Sequence, residues 1–158
     1  MSDEKTNVMR ILDQKKIPYT AYSYSGTDAI SGADVAAVLG QNPAQVFKTL
    51  VTRGKSGKYF VFMVPVNREL NLKKAAAAVR EKSVEMIHQK DLMPLTGYVH
   101  GGCSPIGLKK PFPVTIDASC AQFETVIFSA GKIGYQVQTT VNNLSKLVRL
   151  QQADITEI

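Results

Sequence analysis

Tyr59-Phe60-Val61-Phe62-Met63-Val64 is a continuous apolar run closed by Pro65. A strand with one wet face alternates apolar and polar residues. A run without alternation predicts a strand covered on both faces, at the centre of a sheet. Just upstream, Arg53-Gly54-Lys55-Ser56-Gly57-Lys58 combines two glycines with exposed cations and reads as a hairpin turn. Before the turn, Val46 to Thr52 alternates: Val46, Lys48, Leu50 and Thr52 share one face, and Phe47, Thr49 and Val51 the other. Lys48 therefore shares a face with apolar neighbours. One reading makes it an edge residue whose stem covers apolar surface while the ammonium reaches water. The other aims it into a cleft, where it binds an anion or steadies developing charge.

The flanking sequence supplies the remaining elements. Residues 5–16 read as an amphipathic helix with Val8, Ile11 and Leu12 on one face, capped by Thr6 or Asn7 and ended by Pro18. Tyr19 to Tyr24 reads as a strand. Ser31 or Asp28 opens a helix from Gly32 to Leu39, with Gly40 as its stop. Asn42-Pro43-Ala44-Gln45 has the chemistry of a helix start and predicts a short third helix. Asn71 caps a helix over Leu72 to Lys82. Lys73 and Lys74 open it, at the end where the dipole favours anions, and are either solvated or matched to a phosphate. Further strands are expected at Val84–Ile87, Pro113–Asp117, Glu124–Ser129 and Tyr135–Gln138, with a short helix or turn over Gln89–Leu95. A last helix runs to Leu150 from a cap at Thr140 or Asn142, and Asp154 to Ile158 is expected to fray. The fold class that follows is mixed α/β (α+β), with a curled mixed β-sheet or barrel of about seven strands flanked by helices. No linker or repeat interrupts the chain, so residues 1–158 are expected to form a single domain.

Composition narrows the function classes. The chain has 158 residues, 44% of them hydrophobic, enough for a real core. No apolar run is long enough to span a bilayer, and Met1-Ser2-Asp3-Glu4-Lys5 carries no apolar targeting segment. The expectation is a cytoplasmic protein without a membrane partner. Its two cysteines, Cys103 and Cys120, lack CxxC spacing and are expected to be reduced thiols. The net charge of +6 permits a polyanionic partner without demanding one. With no tryptophan, no aromatic RNA-binding box and no block of like charges, a dedicated sequence-reading nucleic-acid module is not expected.

The chemistry concentrates in His100-Gly101-Gly102-Cys103-Ser104-Pro105-Ile106-Gly107. Glycines let the backbone turn with positive φ and let a ligand approach the main chain. Consecutive N–H groups from Gly101 to Ser104 can form an anion-binding concavity, and Pro105 stiffens its exit. The same residues also suit a plain turn. Cys103 is either a nucleophile, with His88 and His100 as the available imidazole bases, or a small side chain lining a pocket; the second reading is preferred. His88, His100, Cys103 and Cys120 match no familiar metal-site spacing, and Ser104 lacks a nucleophile elbow. Neither a metal nor a cofactor is expected.

Three stretches occur in order: Val46-Phe47-Lys48-Thr49-Leu50, Gly101-Gly102-Cys103-Ser104-Pro105-Ile106-Gly107 and Ser129-Ala130-Gly131-Lys132-Ile133-Gly134. Together with Leu70-Asn71-Leu72-Lys73-Lys74 they closely resemble the YbaK/EbsC family of aminoacyl-tRNA deacylases, over nearly the whole chain. Within the editing domains related to prolyl-tRNA synthetase, the resemblance is greatest to the free-standing Cys-tRNA(Pro) deacylase branch. It implies a pocket for the aminoacylated 3′ end of tRNA(Pro), in trans and beside prolyl-tRNA synthetase. It also implies a reaction in which the substrate's own thiol attacks its carbonyl and leaves as a cyclic thiolactone. Lys48, Gly102, Cys103 and Ser104 are then the expected catalytic positions, with backbone N–H groups of the last three on the carbonyl oxygen and Lys48 on the terminal phosphate or ribose. Tyr24, Ile30, Thr49, Gly101, Pro105, Ser129 and Gly131 are the expected substrate-binding positions. Two places depart from the family: Cys103 stands where relatives carry an aliphatic residue, and Gly134-Tyr135-Gln136 stands where an acidic residue is expected. The alternatives are an Ala- or Ser-tRNA deacylase using an activated water, or a binding module that holds an acceptor end or a protein without turnover.

Overall fold

The computed structural model describes residues 5–29 and 31–157. They form five α-helices and eight strands. In chain order these are α1 (Asn7–Gln14), β1 (Thr20–Ser23), α2 (Gly32–Leu39), β2 (Phe47–Gly54), β3 (Tyr59–Pro65), α3 (Leu72–Ala78), β4 (Val84–Met86), α4 (Gln89–Thr96), β5 (Val114–Asp117), β6 (Val126–Ser129), β7 (Tyr135–Thr139), α5 (Val141–Ser145) and β8 (Leu150–Ala153). A short 3-10 helix, Ala118–Gln122, follows β5.

The apolar run becomes β3, the middle strand of a five-stranded sheet ordered β4-β2-β3-β5-β8. Its alternate residues enter two different cores. Val61 and Met63 join a large cluster that draws on both sheets and on α1, including Val8, Leu12, Phe47, Ile116, Phe128 and Val137. Phe60, Phe62 and Val64 join a second cluster beneath α3, with Ala75, Ala76 and Ile155. Burial on both faces is why the run does not alternate. β4, β2 and β3 are antiparallel, whereas β5 and β8 join in parallel.

The expected single curled sheet or barrel of about seven strands is corrected here. β1, β7 and β6 form a separate three-stranded antiparallel sheet. Closing a barrel needs an unbroken, staggered ladder around the ring. The two sheets are joined by one isolated parallel bridge, Val46 to Ile127, and the ladder goes no further. Residue alternation within strands is blind to such a break, because it records faces and not partners.

Four local expectations also change. Asn42–Gln45 is a turn and not a helix: Asn42 Oδ1 accepts from the Ala44 N–H and the chain enters the bridge at Val46. α3 ends at Ala78, four residues early, where Arg80 takes a positive φ of 60°. The last helix stops at Ser145, and of the segment expected to fray, Ile155 and Thr156 are built into the molecule, while Ile158 lies outside the described residues. β8 pairs with β5, Leu70 bridges Thr156, and Ile155 is fully buried. Asp117, also buried, ties this end down, its Oδ1 accepting from the Ile155 N–H at 3.0 Å. Ile155→Ala is expected to lower unfolding free energy by about 2–5 kcal/mol, read as a fall in the urea midpoint; a change under about 0.5 kcal/mol would place the C-terminus outside the cooperative unit.

Candidate functional site

Two loops meet at one end of the molecule. The first follows α4. Thr96 donates its hydroxyl back to the Leu92 carbonyl and accepts from the Tyr98 N–H at 3.0 Å, which ends the helix and sets the start of the loop. Gly101 has φ of 87°, and the Gly102 N–H donates to the Val99 carbonyl at 3.0 Å, closing a tight turn. Tyr98 is buried, and its hydroxyl donates to the Ile106 carbonyl, joining the two ends of the loop. Burial pushes the Tyr98 phenol up to about 12, so it remains a donor.

The second loop joins β6 to β7. Ser129 Oγ accepts from the Gly131 N–H at 3.1 Å, and the Ala130 N–H donates to the Tyr135 carbonyl. Gly131 has φ of 88°, and a Cβ there would stand 2.9 Å from both the Tyr98 ring and Val8. Gly102 packs against this loop, since a Cβ on it would lie 3.2 Å from the backbone nitrogen of Ile133. Gly102 thus lets backbone approach backbone, and Gly131 lets the chain lie against the Tyr98 and Val8 side chains, where a Cβ would crowd. Tyr24, buried just after β1, is drawn to the same place by donating its N–H to the Gly134 carbonyl at 2.8 Å.

Lys48 lies two residues beyond the bridge between the sheets. Val46 and Ile127 pair in parallel, so the next residues on the same face are Lys48 on β2 and Ser129 on β6. Ser129 is in turn the cross-strand partner of Gln136 on β7. Gln136 is buried, and its Oε1 accepts from Gln41 Nε2 at 2.8 Å. Lys48 Nζ makes an ion pair at 3.1 Å with Glu69, whose side chain is 79% exposed.

The remaining expected positions are arranged differently. Thr49 pairs with Met63 on the face of the large core, away from the face that Lys48 shares with Val64, and its buried Oγ1 has no hydrogen-bond partner among the described residues. Pro105 is buried on the far shoulder of the first loop. Ile30 lies outside the described residues. Ser104 is fully buried, and its hydroxyl accepts from the Ile106 N–H at 3.3 Å. Cys103 is 8% exposed, and burial pushes its thiol up to about 12. At neutral pH that thiol is protonated and a poor nucleophile. Cys120, in the same core cluster, is pushed up to about 11 by burial. Among the described residues no three His, Cys, Asp or Glu side chains gather as metal ligands, and no helix is long and apolar enough to cross a membrane.

Of the three N–H groups expected to hold an oxyanion, Gly102's is taken by Val99, while those of Cys103 and Ser104 have no acceptor among the described residues. The first loop therefore offers two backbone donors on buried residues, and Lys48 and the Ser129 hydroxyl follow the bridge on β2 and β6. Sequence reasoning missed Glu69 and Gln41, and it read Tyr98 only as part of the approach to the loop. Glu69 was open to inference: the β2–β3 hairpin brings the chain after β3 back beside the start of β2, where Lys48 sits. Nothing in the sequence pointed to Gln41. Tyr98→Phe keeps the ring but strands the Ile106 carbonyl, and is expected to cost about 1–3 kcal/mol in a denaturant melt, with a faster-exchanging Gly102 amide; an unchanged melt would mean that the hydroxyl does not hold the loop.

A family model described as the aminoacyl-tRNA editing domain matches residues 27–147. The chain is 44% identical over 156 residues to EbsC of Enterococcus faecalis, a candidate Cys-tRNA(Pro)/Cys-tRNA(Cys) deacylase, covering 98% of this chain and 95% of that one. It is 28% identical over 109 residues to the proline–tRNA ligase of Fervidobacterium nodosum, covering 61% of this chain and 19% of the ligase. A crystal structure described as a candidate trans-editing enzyme for prolyl-tRNA synthetase superposes with a TM-score of 0.84 at 22% identity, covering 99% of this chain and all of the other, a likeness of fold.

Proposed function

This chain belongs to the aminoacyl-tRNA editing domain family, in its YbaK/EbsC branch, and on that premise we propose that it is a trans-editing deacylase that removes cysteine from mischarged Cys-tRNA(Pro) and Cys-tRNA(Cys). Its partners are the aminoacylated 3′ end and prolyl-tRNA synthetase, in the cytoplasm.

The observation that carries the mechanism is the pairing of a protonated, buried Cys103 thiol with two unpartnered N–H groups beside it. The loop offers charge stabilisation and no activated side chain of its own: Ser104 is enclosed and hydrogen-bonded, and His88 and His100 are exposed. The nucleophile then comes from the substrate. The cysteinyl thiol attacks its own ester carbonyl, forming an S–C bond as the bond from the carbonyl to the ribose oxygen breaks. The thiol proton ends on the ribose hydroxyl, and cysteine leaves as a thiolactone that water opens. Negative charge gathers on the carbonyl oxygen in the transition state, and the Cys103 and Ser104 N–H groups stabilise it there. Lys48 exchanges Glu69 for the terminal phosphate or ribose and so fixes the ester in a reactive pose. Ser129, Gly131 and Tyr24 wall the site. Gln136, in the stretch where the resemblance leads one to expect an acid, adds no negative charge beside Ser129.

Release of labelled cysteine from Cys-tRNA(Pro), run beside release of alanine from Ala-tRNA(Pro) at catalytic protein concentration, tests this reading. Fast cysteine release with little alanine release is expected. Equal or preferential alanine release would move the enzyme to a water-using mechanism, and ester protection without release would make it a binder. Lys48→Ala is expected to lower kcat/KM at least about a hundredfold, whereas Cys103→Ala keeps its turnover. A folded but inactive Cys103→Ala would transfer the attack to the protein thiol.

A further inference from the structure

The back of the first loop borders a feature that the editing site does not use. Pro105 and Gly107 form one wall of a pocket of about 330 Å³ that continues over Leu108 and Phe112 to Leu147 and Arg149. A second pocket of about 220 Å³ lies between the end of α1 and α5, with Lys15 and Lys16 on one side and Lys146 on the other. Lys146 and Leu147 line both, so the two form one groove.

Four cations, Lys15, Lys16, Lys146 and Arg149, stand along this groove, all exposed, and neither lining contains an acidic residue. Lys109 and Lys110 extend the same charge between Leu108 and Pro111. The ion pairs among the described residues are Lys5–Asp13, Lys48–Glu69 and Lys74–Asp154, so none of these six cations is neutralised by a carboxylate. Lys146 Nζ donates only to the Asn143 amide oxygen, at 3.3 Å. Unpaired cations above an apolar, concave floor suit a sugar–phosphate backbone, whose phosphates meet the rim while the ribose faces meet the floor.

We propose that this groove holds the backbone of the acceptor stem of the substrate RNA. The inference rests on the reading of the editing site as a 3′-end site, and continuity gives it a direction. One loop carries the Cys103 and Ser104 donors and, directly after them, Pro105 and Gly107, which wall the groove. A strand whose 3′ end enters at the donors passes over that wall into the groove. Base identity is not read there; the contacts are to phosphate and supply affinity and register.

The test uses the full chain and a fluorescein-labelled, uncharged RNA hairpin ending in CCA, with anisotropy followed across salt concentrations. Lys146→Glu with Arg149→Glu is expected to weaken binding at least about tenfold and to flatten the slope of log K against log salt by about 2. A control with the same change of charge, Lys55→Glu with Lys58→Glu in the β2–β3 turn, is expected to leave the slope unchanged. On aminoacylated tRNA the groove variant should show a raised KM at unchanged kcat, while its hydrolysis of a cysteinyl ester of adenosine, which has no stem, stays as in the parent. Equal loss of affinity in both variants would reduce the effect to net charge and overturn the proposal. So would an unchanged slope in the groove variant, or loss of synthetase binding with RNA affinity intact, which would assign the groove to an acidic protein surface. Because hairpin binding needs no turnover, failure of the deacylase reading shows separately, as no ester hydrolysis by the parent protein.

Discussion

The hydrogen bond from the Tyr98 hydroxyl to the Ile106 carbonyl is the constraint on which the site depends. It joins the two ends of a loop that contains little regular structure. The same ring sets the position of the second loop, because Gly131 lies against it, while Gly107 of the first loop lies against its hydroxyl. With Tyr98 fixed, the Gly101–Gly102 turn meets Ile133 and the backbone donors that follow are held in a buried setting. Fixed donors need no reorganisation when charge develops, which is where such groups have their largest effect on rate. The phenol suits this role because burial keeps its proton in place far above neutral pH.

The electrostatics of the site divide between what is permanent and what exchanges. The thiol of Cys103 is permanent in the neutral form, since the dry surroundings that pack it also disfavour its anion. The Lys48–Glu69 pair is the exchangeable part. Glu69 is largely exposed, and a pair of that kind contributes little stability, so a phosphate can replace the carboxylate at small cost. In the proposed mechanism, substrate binding and resting structure use the same cation in turn. Catalysis of this sort asks the protein to orient and stabilise a reactant that brings its own nucleophile.

The sequence carried a good part of this arrangement. The unbroken apolar run at 59–64 located the central strand, because double-sided burial leaves a signal in every residue of the strand. The helix over Gly32–Leu39 was legible to the residue, since Ser31 and Gly40 mark its two ends chemically. The loops at 101–107 and 129–134 were legible as loops through their glycines, and their closeness only through the resemblance. The division into two sheets was not legible, because it turns on a single bridge at Val46 and Ile127 whose residues look like any strand. Thr49 shows the same limit: alternation put it on the face opposite Lys48, while the resemblance made it a substrate-binding position. The C-terminal strand was missed because Leu150–Ala153 has two exposed glutamines, and its pairing with β5 is visible only in three dimensions.

Substrate-borne nucleophilicity is the central claim, and blocking the substrate thiol tests it most directly. Single-turnover deacylation of tRNA(Pro) charged with S-methylcysteine, compared with the cysteinyl form, isolates that group while leaving the ester, the RNA and the protein unaltered. The account predicts that the methylated substrate binds and competes with Cys-tRNA(Pro) but is not released above the uncatalysed rate. Release of S-methylcysteine at a rate close to that of cysteine would contradict it and require a water or a protein group as the attacking atom.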